Sequence, residues 1–305
     1  MKAQLCREFG APLSFEDVPE PVPGPDEVLV DVRAAGVNFP DGLMVAGTYQ
    51  VKPTPPFSPG SEVAGVDRAT GERVMVFCGT GGYAEQVAVP RWRVHPIPDA
   101  MPFTEAAAFP VVYGTSWHGL VDRAVVKPGE RLLVLGASGG VGLTAVQLGV
   151  ALGAEVVAAA STPAKRALCT AFGAHQALDY AELAGAFDVV YDPVGGAVAE
   201  TAVRLLAWGG RYLTVGYASG TIPKVGLNRV LLKEAGVLGV LWGEWARRNP
   251  AHNAANVARL LELYTEGRLR PHVSATFPLA DAAAALDSVM SRTAVGKVVL
   301  TVGED

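Results

Sequence analysis

Hydrophobic and polar positions change rhythm along this 305-residue chain. From Met1 to about Phe109, short apolar runs alternate with polar residues and are cut by glycine and proline: VLVDVRAAGV, the proline-rich KPTPPFSPG, SEVAGVD, GERVMVFC and GGYAEQVAVP. Short strands with that punctuation predict a small antiparallel, barrel-like unit. From about Pro110 to Gly243 the strands become almost continuously apolar. RLLVLG, EVVAAAS, HQALDY, FDVVYD, GRYLTVG and EAGVLGVLW read as six strands, with TAVQLGVALG, PAKRALCTAFG and GAVAETAVRLLAWG as helices between them. Such strands separated by helices predict an α/β fold, a doubly wound parallel sheet covered on both faces. Residues 244–305 add two helices, near 250–266 and 280–290, and a closing strand KVVLTV too distant to extend the six-strand run simply. The expected organisation is a first domain of 1–109 completed by 244–305, and a second of 110–243.

Composition narrows the class. Charged residues are 18 % and apolar residues 50 %, a mix that is neither disordered nor fibrous. The formal charge of -5 comes with no block of like charge, so nothing attracts a nucleic-acid backbone or an anionic membrane. A mean hydropathy of +0.27 raises the question of a membrane span. Residues 132–154 run uncharged for longer than the ~20 helical residues a bilayer needs. A glycine cluster at 136–142 and the polar Ser138, Thr144 and Gln147 break that run into strand, loop and helix, so no span is expected. The N-terminus MKAQLCREFG has no apolar signal core. Cys6, Cys78 and Cys169 are scattered, with no C-x-x-C pair. They suit a reducing cytoplasm and read as thiols without a metal role.

The first candidate chemistry lies after RLLVLG, where Ala137-Ser138-Gly139-Gly140-Val141-Gly142 leads directly into TAVQLGVALG. Between a strand and a helix, such glycines let backbone N–H groups approach a pyrophosphate, let the helix pack close, and aim its positive end at the ligand. Ala137 stands where the dinucleotide fingerprint has its first glycine. The next strand discriminates between dinucleotides. NAD binders carry an acidic residue about 20 positions on, for the ribose hydroxyl. Here Ser161-Thr162 ends that strand, 24 residues after Ala137, with Lys165 and Arg166 just beyond. A hydroxyl and a cation suit a 2′-phosphate, which a carboxylate would repel. NADPH is the cofactor expected, although Lys165 and Arg166 also read as solvated helix residues. Gly216-Tyr217 after GRYLTVG and Leu241-Trp242-Gly243 after the last strand should flank the nicotinamide, because ligands bind beyond the carboxyl ends of parallel strands. Tyr217 and Trp242 read equally as domain-interface aromatics. His118 reads as a satisfied helix histidine, and Asp192 as an anchor for a turn.

The motifs GVNFPD (36–41), AGTY (46–49), PGSEVAG (59–65), GERV (71–74), AAAFPVVYGTSWHGL (106–120), PGERLLVLGASGGVG (128–142), FDVVYDPVGG (187–196) and VGK (295–297) fall in one family's order. Along its whole length the chain resembles the zinc-free quinone oxidoreductases, the zeta-crystallin-like branch of the medium-chain dehydrogenase/reductase superfamily. The resemblance implies a GroES-like catalytic domain with a Rossmann domain. It also implies that Asn38, Asp41 and Tyr49 line the substrate cleft and that Thr115 lies near the nicotinamide. Ser161, Lys165, Tyr180 and Arg292 would surround the adenosine phosphate. Zinc-dependent members carry Cys and Gly-His-Glu ligands where this chain has Gly36-Val37-Asn38 and Gly60-Ser61-Glu62, so no catalytic zinc is expected. Without a Lewis acid, the acceptor must already be electrophilic.

The leading expectation is an NADPH-dependent quinone oxidoreductase acting on a quinone or similar enone. An enoyl-thioester or enone reductase of the same superfamily is the alternative, and an NADPH-binding protein without turnover is the rival from another class. Tyr49 reads either as proton donor or as an exposed loop tyrosine. The apolar edge strand EAGVLGVLW predicts a homodimer through the last Rossmann strand.

Overall fold

The computed structural model describes residues 1–303. The chain opens with β1 (Lys2–Leu5) and β2 (Ser14–Asp17). It continues through β3 (Glu27–Val37), α1 (Phe39–Val45), β4 (Glu62–Asp67), β5 (Arg73–Phe77), β6 (Gln86–Pro90), β7 (Val94–Pro96) and α2 (Phe103–Ala107). Helix α3 (Pro110–Trp117) then leads into β8 (Arg131–Val134), α4 (Gly140–Ala151), β9 (Glu155–Ala159), α5 (Pro163–Ala171) and β10 (Gln176–Leu178). After these come β11 (Phe187–Asp192), α6 (Ala197–Arg204), β12 (Leu206–Thr214), α7 (Leu227–Leu231) and β13 (Gly236–Gly239). Elements α8 (Trp242–Arg248), α9 (Pro250–Thr265), β14 (Val273–Pro278), α10 (Ala282–Met290) and β15 (Lys297–Thr301) complete the chain. It divides into two units, one of residues 1–111, 249–265 and 270 onward, the other of 112–248 and 266–269.

The first unit is built on a seven-stranded sheet in the order β14-β15-β3-β4-β5-β7, with β6 pairing on β3. Strand β3 is its spine. Along it Val28, Val30 and Val32 alternate into the core, as a half-buried strand requires. A register shift between Val32 and Ala34 ends that alternation, and Ala34 through Val37 are all buried. Strand β15 pairs antiparallel with this buried end, setting Val298 opposite Val37. The last residues thereby reach the start of α1.

The second unit has the expected parallel sheet. Six strands lie in the order β10-β9-β8-β11-β12-β13, every pair parallel. Leu132, Leu133, Val156, Val157, Val189 and Val190 are fully buried, which accounts for the uninterrupted apolar runs. The sequence differs from the structure at two boundaries: the last strand, expected over EAGVLGVLW, stops at Gly239 and Trp242 begins α8. The helix expected over GAVAETAVRLLAWG stops at Arg204, and its end belongs to β12, which starts at Leu206. A register shift between Phe187 and Val189 admits the extra length. A π-helical turn at His118–Arg123 and the short α7 were not foreseen either. Among the described residues no helix is long and apolar enough to cross a membrane, and the three cysteines are free and buried.

Candidate active site

In the second unit, the loops that follow the strands collect the chemistry. After β8 the chain turns through Gly136, at φ 58°, and the Gly139 N–H closes the turn on the Gly136 carbonyl at 3.0 Å. Gly139 caps α4 without a side chain to bond the first-turn N–H groups, which leaves them for a ligand. Gly142 is required by space: a Cβ there would collide with the Gly136 carbonyl oxygen and sit 2.8 Å from the Ala137 Cα. A buried hydroxyl cluster braces the turn from behind. The Ser116 hydroxyl donates to the Val141 carbonyl at 2.9 Å and lies 2.8 Å from the Thr144 and 2.9 Å from the Tyr191 hydroxyl oxygens.

Ser138 is buried, and Gly139, Gly140 and Val141 are half-buried at the helix start. Ser161 is exposed just past β9. Thr162 caps α5 by accepting from the Lys165 N–H at 3.2 Å, which fixes Lys165 in the first turn. Arg166 is committed elsewhere, donating to the Ala160 carbonyl at 3.1 Å and to Asp179 at 3.0 Å. Tyr180 comes to the glycine turn itself, its oxygen accepting from the Gly136 N–H at 3.1 Å. Burial pushes its phenol above the ordinary range, so it keeps its proton at neutral pH.

At the other strand ends, Asp192 ties β11 to the following loop. Its Oδ1 accepts from the Val194 and Gly195 N–H groups at 2.6 and 2.9 Å, and its Oδ2 accepts from the Tyr212 hydroxyl. Half-buried Gly216 and Tyr217 follow β12, and the Tyr217 ring lies where a side chain on Gly195 would have to go. Leu241 is exposed, while Trp242 is buried against Gly114, next to Thr115 on α3. One turn later His118 stacks on Trp245 with ring centroids 4.3 Å apart and bonds Asp122 at 2.9 Å. Ser138 through Gly142, Ser161, Tyr180, Tyr217 and Leu241 all lie beyond the carboxyl ends of the parallel strands, where open α/β sheets bind ligands.

The first unit holds the other predicted residues. Asn38 caps α1, and its backbone N–H donates to Asp41 Oδ2 at 2.9 Å. That oxygen also accepts from the Tyr83 hydroxyl at 3.1 Å, whereas Asp41 Oδ1 is buried without a hydrogen-bond partner. Burial raises the Asp41 carboxyl to about 6 from its ordinary 3.8, against the opposing pull of the Asn38 N–H and the Lys297 ammonium. Half-buried Tyr49 lies in the loop after α1, its phenol raised by burial and by the Asp41 charge. Arg292 is in this unit too, exposed at φ 62°, whereas Ser161, Lys165 and Tyr180 belong to the other.

Two residues at the centre of this cluster were given no task by the sequence. Glu62 and Lys297 form a buried ion pair of 2.7 Å. Both lie inside motifs that carry the resemblance, PGSEVAG and VGK, and the available signal was a charge at the edge of an apolar strand.

Comparisons with known proteins agree over the whole chain. Residues 24–99 match the alcohol dehydrogenase GroES-like domain and residues 172–300 the zinc-binding dehydrogenase model. Quinone oxidoreductase-like protein 2 of Bos taurus is 36% identical over 98% of this chain and 92% of its own. The chain belongs to the zinc-free quinone oxidoreductase branch of the medium-chain dehydrogenase/reductase superfamily. Human quinone oxidoreductase, another member, is 30% identical over 98% of this chain and 97% of its own. The quinone oxidoreductase of Thermus thermophilus, solved alone and in complex with NADPH, superposes with a TM-score of 0.91 at 39% identity, covering 99% of this chain and all of that one. The donor set of this family member does not fit a metal. In the segments where zinc relatives carry Cys and Gly-His-Glu, it presents Asn38, Ser61 and Glu62, and Asn38 Oδ1 and Glu62 Oε1 already receive the Lys297 ammonium at 2.8 and 2.7 Å. Among the described residues no group of three or more His, Cys, Asp and Glu is placed to hold an ion.

Proposed function

We propose that the protein is an NADPH-dependent quinone oxidoreductase of the cytoplasm, working without a metal. Residues 112–248 bind the dinucleotide and the first unit receives the acceptor. The observation that carries this reading is the uncapped start of α4 together with Ser161 and Lys165 after β9, where an NAD binder would carry a carboxylate. The NADPH complex of the Thermus relative supports it.

When bound, the reduced nicotinamide supplies the electrons that the acceptor takes up. The chain's residues bind and orient. First-turn N–H groups of α4 hold the pyrophosphate, Lys165 and Ser161 hold the 2′-phosphate, and Tyr180 keeps a proton to donate there. Asn38 and Asp41 orient the acceptor, and Tyr49 holds a proton at its phenol oxygen for the reduced product. The three free buried thiols suit a reducing compartment. A homodimer through β13 is supported by the exposed apolar side chains of Val237 on that edge strand and of Leu227, Leu231 and Leu232 on and beside α7.

Steady-state oxidation of NADPH and NADH with a p-quinone, a simple enone and crotonyl-CoA in parallel tests the reading. The expected result is fastest turnover with NADPH and the quinone, and an NADPH preference of at least about tenfold that Lys165→Ala largely abolishes. Preference for crotonyl-CoA would instead indicate an enoyl-thioester reductase, and NADPH binding without turnover a non-catalytic protein.

A further inference from the structure

We propose that Lys297 is a positioning residue of the acceptor site, a built-in cation that fixes the Asn38 amide in one orientation. The inference rests on the reading of the first unit as the acceptor side, and its geometry is complete within that unit. An ammonium has three N–H groups, and each finds a different acceptor: the Val37 carbonyl at 2.9 Å, Asn38 Oδ1 at 2.8 Å and Glu62 Oε1 at 2.7 Å. The amide's other end is equally committed, Nδ2 donating to Glu62 Oε1 at 2.8 Å and to the Ser61 oxygen at 3.4 Å. A flipped amide would point its own donors at the ammonium, so one orientation remains. Glu62 Oε2 accepts from the Val111 N–H at 2.7 Å, which holds the carboxylate in turn.

The cluster is built and buried. Glu62 is fully buried and Lys297 nearly so. Gly36 leaves the room it needs, since a Cβ there would collide with Glu62 Oε1 and the Ala107 carbonyl. Lys297 thus holds both the Asn38 side chain and the Val37 carbonyl just before it, and the Asn38 backbone N–H holds Asp41 Oδ2. Lys297 therefore acts on the acceptor through Asn38 and Asp41 without touching it, from 235 positions beyond its carboxylate partner.

Lys297→Met alone leaves Glu62 as an unpaired buried charge, a strongly destabilising state. The deciding variant therefore combines Lys297→Met with Glu62→Gln, which leaves no charge unpaired. Two readouts are taken: turnover of 1,4-naphthoquinone with NADPH, and calorimetric binding of the same quinone to protein loaded with NADP+, which involves no turnover. The expected result is NADP+ affinity within about twofold of wild type, and quinone affinity and kcat/KM both lower by about tenfold or more. Lys297→Arg, which keeps the cation, should recover more than half of the lost turnover. Wild-type quinone binding and turnover in the double variant overturn the proposal, and so does a parallel loss of NADP+ affinity, which marks a merely structural role. A wild-type protein that turns over no acceptor refutes the functional reading instead, and quinone binding still judges Lys297.

Discussion

Asp41→Asn is the most informative single change in the first unit. The carboxyl is fully buried, with Oδ2 held by the Asn38 N–H and the Tyr83 hydroxyl and Oδ1 without a partner. Burial lifts its folded pKa to about 6, against an ordinary value of 3.8. Between those two values the folded protein binds a proton that the unfolded chain has released. Stability from this group is therefore full below about pH 4 and is lost as pH rises through about 6. An asparagine does not titrate and removes that slope. It also changes the hydrogen bonding by an amount that is the same at every pH, so the informative quantity is how its stability relative to wild type changes with pH. A shift of about 2 units is worth about 3 kcal/mol at most, and about 1 to 2 kcal/mol of it falls between about pH 5 and about pH 8. Urea unfolding of both proteins at the two pH values measures it. Asp41→Asn should gain on wild type by that amount at the higher pH. A difference that does not change with pH would refute the claim that desolvation governs this carboxyl.

Two further changes probe the other unit. Gly142→Ala drives a Cβ into the Gly136 carbonyl, so the turn must shift. Fluorescence titration should show NADPH affinity lower by at least about tenfold, and thermal unfolding a loss of about 1–3 kcal/mol. Val237→Lys puts a charge on the open edge of β13, so light scattering should give twice the chain mass for wild type and the chain mass for the variant; a wild type already at chain mass would end the dimer reading.

What could be read from sequence follows the range of the interactions involved. Strands β8, β9 and β11 announce themselves because burial on both faces demands nearly continuous apolar runs. The glycine turn after β8 is legible because its glycines are separated by no more than six positions and their task is steric. The join of α6 and β12 is not, since LLAWGG after Arg204 carries no charge to mark a boundary and only pairing with β11 determines that Leu206 begins a strand. Glu62 and Lys297 were invisible as partners for the same reason. Each is an ordinary charge in its own segment, and only the antiparallel pairing of both β15 and β4 with β3 brings them together. Arg166 is the converse case. Its spacing offered a second phosphate cation, but the structure gives it to Asp179, 13 positions on.

The central claim is that this chain passes electrons from NADPH to a quinone without a metal. The most direct measurement is rapid mixing of the NADPH-loaded, chelator-treated protein with 1,4-benzoquinone while the reduced-nicotinamide absorbance is followed. The account predicts a protein-dependent decay with the same rate before and after chelation. A decay no faster than that of free NADPH, or one abolished by chelation and restored by zinc, would contradict it.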